Sequence, residues 1–278
     1  MTPDSFAACE ALVRNADYDR YVSALFVPAE RRMHVFALYA FNYEVARTAE
    51  NVSQPLMGQI RLQWWRDALD EVESGRVRQH EVVEALAETL RTYALPRALL
   101  NALIDAHEND LIETPFETWK EFDAYADATA GNLMRLAAHI LGASQAVDAA
   151  AREAGIAYAL TGLLRALPFH AAKRRLMLPL EALREIGVSQ EQIFSGTMDE
   201  KITALVTLGA ARAREHFDAA RKLIVSRAHL PPLLPAALIP LYLRRLTVPG
   251  FNPFRDTTDV PAYRRQLAML GAMLRGCI

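Results

Sequence analysis

The chain has only two cysteines, Cys9 and Cys277, at opposite ends and without paired spacing. That excludes a disulfide framework and a cysteine-based zinc site, and it points to a reduced, intracellular setting. No apolar run approaches the roughly 18 to 20 residues that a membrane-crossing helix requires. The opening residues, Met1-Thr-Pro-Asp-Ser-Phe, lack the basic and apolar regions of a secretory signal. The expectation is a cytoplasmic protein, soluble or held only at the surface of a membrane. A formal net charge of −2 leaves no global field to recruit nucleic acid. There is no glycine-rich phosphate loop of the G-x-G-x-x-G or Walker type. No segment alternates apolar and polar residues between turn signals, so no strand is expected. Fixed-period repeats and low-complexity linkers are also missing.

What is present is helical. Hydrophobic residues make up 52% of 278, and alanine and leucine outnumber the β-branched residues that favour strands. Pro28 precedes a helix from near Ala29, with Phe36, Ala40 and Tyr43 on one face. Pro55 and Gly58 punctuate before Ile60 and Trp64, and Gly75 closes that run. Pro96 opens a helix carrying Leu99, Leu103 and Ile104. Another is built on Trp119, Phe122, Leu133, Leu136 and Ile140 and ends at Gly142. Helices are predicted over about 146–166 and 199–226, and a Pro231, Pro232, Pro235 cluster leads into Leu238–Leu246. The reading is one all-α domain, 1–278, of roughly nine or ten helices.

The most informative stretch is Ala159–Pro179, ALTGLLRALPFHAAKRRLMLP. It resembles a segment of the squalene/phytoene synthase family, L-T-N-I-x-R-D-x-x-E-D-x-x-R-G-R-x-Y-L-P, whose acidic residues hold Mg²⁺. Here the acidic positions are Ala166, Phe169 and His170, while Arg165, Arg175, Leu178 and Pro179 keep their places. Other elements resemble the family in the same order. Arg31-Arg32 with Ala37–Phe41 matches its first helix, after which the D-D-x-x-D pattern is replaced by Ala46, Arg47 and Glu50. Arg61–Asp67 matches R-L-x-W-W-R, Leu103–Leu111 matches L-I-D-G-M-x-x-D-L, and Tyr125 with Ala130-Gly131 matches Y-x-x-x-x-A-G. The resemblance implies an isoprenoid-synthase-like helical bundle with a central cavity.

In that family, Mg²⁺ bridges carboxylates to the diphosphates of two prenyl substrates, and aspartates three or four residues apart share the helix face that holds it. One remaining carboxylate, Glu50, cannot rebuild two clamps. A divergent branch of the family, the mitochondrial assembly factors of respiratory complex I and their bacterial relatives, carries instead a run of L-R-A-x-P-x-H followed by a basic pair and a closing L-P. This chain matches it at Leu164, Arg165, Ala166, Pro168, His170, Arg174, Arg175, Leu178 and Pro179, and shares I-R-L-Q-W-W-R-D-A over Ile60–Ala68. That resemblance implies a binding or assembly role without cofactor, complex I subunits as partners, and a place at the inner face of the cytoplasmic membrane, or the matrix side in a eukaryote. Two other classes stay open. An active prenyltransferase would need Mg²⁺ on Glu50, Asp105 and Asp110, and a carrier would hold an isoprenoid or lipid without reacting it.

The candidate ligand-binding residues are Arg47, Arg165, His170, Lys173, Arg174 and Arg175. Arginine forks suit a diphosphate or a phospholipid headgroup without metal. The same cations also suit the end of a helix, and Arg47 also suits pairing with Glu44 or Glu50. Trp64 and Trp65 are adjacent and cannot share a helix face, so one belongs to the core and the other to a cavity or interface. Arg61 and Arg66 have Asp67, Asp70, Asp105 and Asp110 as partners in reach. His107, His139 and His170 lack zinc spacing. From Leu241 onward there are six arginines and two aspartates. There, Leu267, Leu270 and Leu274 with Arg264, Arg265 and Arg275 form either a basic amphipathic helix on a membrane or a helix docked on the bundle.

Overall fold

Helical propensity becomes fifteen α-helices, with no strand among the described residues. The computed structural model describes residues 3–112, 114–143, 145–223 and 225–278. In chain order the helices are α1 Pro3–Ala16, α2 Tyr18–Ala24, α3 Ala29–Ala46, α4 Pro55–Glu73, α5 Glu81–Tyr93, α6 Arg97–Ala106, α7 Trp119–Ala126 and α8 Asn132–Ile140. Then follow α9 Asp148–Arg165, α10 Leu167–Ala172, α11 Leu180–Ile186, α12 Gln190–Phe194, α13 Glu200–Lys222, α14 Ile239–Leu246 and α15 Ala262–Arg275. The chain groups into two compact units. The first comprises Met1–Ile112, Asn132–Asp148 and Val225–Leu233, and the second Glu113–Gly131, Ala149–Ile224 and Leu234–Ile278.

In the first unit α1, α3 and α5 pack on one another, α8 lies against α3 and α6, and α4 lies against α6. The core is aromatic and aliphatic: Phe36, Phe41 and Trp65 are fully buried with Leu62, Leu100 and Leu103. Sequence punctuation misreads α4. Pro55 is its first residue, where a missing N–H costs nothing, and Gly58 lies inside the helix. A Cβ on Gly58 would meet Leu111 Cδ2 at 2.2 Å, so this glycine serves packing and not chain reversal. The unanticipated α5 has no side-chain N-cap and ends on Ala94 in the left-handed region (φ 46°), so neither boundary carries a sequence mark. Cys9 is buried here, and burial pushes its thiol up to about 12. Cys9 and Cys277 are both free thiols.

In the second unit α11 and α14 pack on α13, and α10 lies against α12. The helix expected to run unbroken from Trp119 instead winds through a π turn at Asp127–Gly131 after α7. That turn admits a close crossing, because a Cβ on Gly155 of α9 would lie 2.4 Å from the backbone nitrogen of Gly131. The small pair Ala130-Gly131 in the Y-x-x-x-x-A-G element thereby has a packing cause. The helix expected over 199–226 ends at Lys222, where Leu223 turns extended (ψ 132°); Ile224 lies outside the described residues. The C-terminal helix α15 is docked through Met269 and Ala272, both 0% exposed.

Candidate functional site

The first acidic-motif positions fall at the end of α3. Arg47 caps that helix, and Glu50 lies in the 3₁₀ turn Thr48–Glu50 that follows. Arg47 donates through Nη1 to the Tyr43 hydroxyl, and its Nε lies 3.4 Å from Glu50. Its guanidinium also sits over the Tyr43 ring, 5.1 Å from the centre. One helical turn back, Arg61 Nη2 donates to Glu44 Oε2 at 2.9 Å. Of the two carboxylates expected as Arg47 partners, Glu50 takes that place and Glu44 pairs with α4 instead.

The second motif falls at the α9–α10 junction. Arg165 ends α9, and its guanidinium carbon lies 3.8 Å from the centre of the Tyr242 ring on α14. The Arg165 Nε is buried with no hydrogen-bond partner among the described residues. His170 lies in α10, and Lys173 Nζ sits 4.2 Å over the exposed Phe169 ring. The chain then closes α10 tightly: Arg175 N donates to His170 O and Arg174 N to Ala171 O, both at 2.9 Å. This closure holds Arg174 at φ 52°, a left-handed conformation that glycine adopts freely and other residues adopt at a cost. Arg174 occupies the glycine position of the R-G-R element. Its side chain makes a two-pronged contact with Glu191 at 3.2 and 2.7 Å and lies over the Phe194 ring. That contact holds the Glu191 carboxyl below the usual carboxylate range.

Arg47 thus belongs to the first unit, and Arg165, His170, Lys173, Arg174 and Arg175 follow one another in the second, at the end of α9, in α10 and in the turn that closes it. Arg165 and Lys173 rest on aromatic rings rather than on carboxylates. Sequence reasoning missed Tyr242, Phe194 and Glu191, because nothing in local spacing pairs them with residues up to about 80 positions away.

A concave site in the first unit was partly legible. A pocket of about 480 Å³ is lined by Asn51, Val52, Met57, Ile60, Arg61, Trp64, Trp65 and His80. The tryptophans divide as their adjacency requires: Trp65 is 1% exposed and packs edge-on against Phe41, while Trp64 is half-buried and takes Arg78 over its ring at 5.0 Å.

The site residues do not fit a Mg²⁺ cluster. At the first motif the single carboxylate, Glu50, is engaged by Arg47. At the second motif Ala166, Phe169 and His170 supply no carboxylate. The remaining acids of the prenyltransferase alternative are also committed: Asp105 accepts from Arg66 Nη2 at 2.6 Å, and Asp110 pairs with His107 at 2.7 Å. Among the described residues no three histidine, cysteine, aspartate or glutamate side chains group to hold a metal ion.

The family model described as Squalene/phytoene synthase matches residues 13–266. The chain is 31% identical over 252 residues to NADH dehydrogenase (ubiquinone) complex I, assembly factor 6, of Bos taurus, covering 90% of this chain and 76% of that protein. It is 24% identical to 15-cis-phytoene synthase of Synechococcus elongatus, covering 99% and 94%. Among solved structures, a dehydrosqualene synthase in complex with ligand superposes with a TM-score of 0.85 at 19% identity, covering 98% of this chain and 96% of that one. At that identity the likeness is one of fold.

Proposed function

Because the chain belongs to the squalene/phytoene synthase family while both of its acidic-motif positions have lost their paired carboxylates, we propose that it is a non-catalytic member acting as a binding and assembly factor for a complex I-type NADH:ubiquinone oxidoreductase. The observation that carries this reading is the α9–α10 junction, where an acidic clamp is replaced by Ala166, Phe169, His170 and a basic turn. Prenyl transfer requires the charge of a departing diphosphate to be neutralised as the allylic cation forms, which the family's Mg²⁺ does. Without carboxylates to recruit that metal, the positive charge at the site comes from the chain itself. Guanidinium and ammonium groups bind phosphate oxygens directly. Arg165, His170, Lys173, Arg174 and Arg175 of the second unit are the residues proposed to hold a phosphate-bearing ligand, a prenyl diphosphate or a lipid headgroup, and Arg47 of the first unit is proposed as a phosphate contact in its own right. Arg165 is pre-oriented by Tyr242, which lowers the ordering cost of binding. The likeness to an assembly factor over most of the chain supports the partner, and the proposed place of work is the membrane face where such a complex is built.

The test has two arms. Purified protein is incubated with farnesyl and geranylgeranyl diphosphate plus Mg²⁺, following diphosphate release; turnover above a buffer control sinks the non-catalytic reading. In a strain lacking the gene, wild type is expected to restore NADH:ubiquinone oxidoreductase levels, and Arg165→Ala with Arg174→Ala to fail while remaining folded. Full complementation by that variant removes the basic turn from the function.

A further inference from the structure

We propose that α15 is a membrane-docking helix whose exposed leucine stripe enters the headgroup region of an anionic lipid surface. The inference deepens the membrane-side placement proposed above by naming the surface and the lipid class. Tyr263, Leu267, Leu270 and Leu274 are 57%, 61%, 43% and 68% exposed. Their spacing of four, three and four residues, at about 100° per residue, gathers all four within an arc of about 60°. The opposite side of the helix is the docked one, through the fully buried Met269 and Ala272. The stripe is therefore held outward by packing, and it runs about 16 Å along the helix axis.

The charges decide the occupant. The helix sequence AYRRQLAMLGAMLR contains three arginines and no acid. By the same angular count Arg264 and Arg275 flank the stripe on one side, about 90–110° from its centre. They lie at its two ends and are both exposed. That is where a guanidinium on a long aliphatic stem reaches lipid phosphate while leucines sit deeper. Arg244 and Arg245 at the end of α14 are also exposed, with Val248 (49%) just beyond. A second copy of the chain fits worse. An antiparallel two-fold contact between stripes would bring Arg264 against the partner's Arg275 twice, with no carboxylate on either helix to offset them. An anionic bilayer surface offers the missing negative charge along the whole stripe.

The experiment is flotation of the purified full chain with vesicles of phosphatidylcholine alone and of phosphatidylcholine mixed with phosphatidylglycerol. Wild type is expected to float with the anionic vesicles only, and added salt to weaken it. Leu267→Ser, Leu270→Ser and Leu274→Ser together should reduce binding at least tenfold without changing helix content. Arg264→Gln with Arg275→Gln should weaken the anionic preference by on the order of fivefold per arginine. Absence of flotation with either vesicle overturns the inference, as does equal binding by wild type and the serine variant. So does a wild type that stays in solution and forms dimers which the serine variant loses. Lipid flotation reads the helix alone, so its failure leaves the assembly role standing, and failed complementation with intact flotation does the reverse.

Discussion

The guanidinium of Arg165 lies 3.8 Å from the centre of the Tyr242 ring, a cation stacked on an aromatic face at the end of α9. The stack orients the charge without neutralising it, as a carboxylate would. Tyr242→Phe should leave stability nearly unchanged beyond the hydroxyl's own contact, whereas Tyr242→Leu should cost about 1 kcal/mol. Urea unfolding of both variants checks this. Equal losses would mean the hydroxyl, and not the ring face, matters.

Arg174 sits at φ 52°, where glycine stands in the family pattern. Arg174→Gly relieves a left-handed penalty of about 1–2 kcal/mol and loses a solvent-exposed ion pair that water screens. The variant should therefore be as stable as wild type or more stable by up to about 2 kcal/mol, while losing function in complementation. A variant that is both less stable and fully functional would remove the argument that strain is retained here for ligand binding.

The crossing of α9 over the π turn makes two glycines of one helix behave oppositely. Gly155→Ala would thrust a methyl into the backbone of Gly131 and should destabilise by about 2–3 kcal/mol. At Gly162 nothing lies within 4 Å of an added Cβ, so Gly162→Ala should stabilise by about 0.5–1 kcal/mol. Thermal melts of the pair decide it, and the same sign for both would contradict the crossing.

His34 is 4% exposed, with its Nδ1 3.0 Å from Thr89 and Phe6 and Tyr93 edge-on to its ring. Burial pulls its pKa below the ordinary value, with Glu88 opposing. The unfolded chain takes up this proton near pH 6.5 and the folded chain only at lower pH. Stability from this residue is therefore complete above about 6.5 and falls as the pH drops towards the folded value, by at most about 1.4 kcal/mol per pH unit. His34→Gln should flatten the fall in urea midpoint between about pH 7 and 5. An unchanged slope would assign the acid sensitivity to other groups.

Much of this was legible along the chain. The all-α fold follows from Ala and Leu content with 3.6-residue periodicity, and Pro28, Gly75, Pro96 and Gly142 mark real helix ends. Where punctuation misled, a contact distant in sequence had changed the residue's task. Gly58 makes room for Leu111, and α5 ends on Ala94, which is held left-handed without glycine. Of the partners expected for the arginines of α4, Asp105 does take Arg66, together with Glu108, whereas Arg61 reaches back to Glu44.

Residue identities alone determined that two acidic motif positions are gone, that a basic run stands in one of them and that the last helix carries arginines beside leucines. Those facts concern chemical groups and their order, which local chemistry fixes. Which cations stay unneutralised was decided only in three dimensions. Arg174 and Glu191 meet across 17 positions and Arg165 finds Tyr242 across the chain, so their electrostatic state depends on packing that no local period encodes. Packing also settled the orientation of α15: burial of Met269 and Ala272 turns the leucine stripe outward, where amphipathic spacing by itself would fit either face.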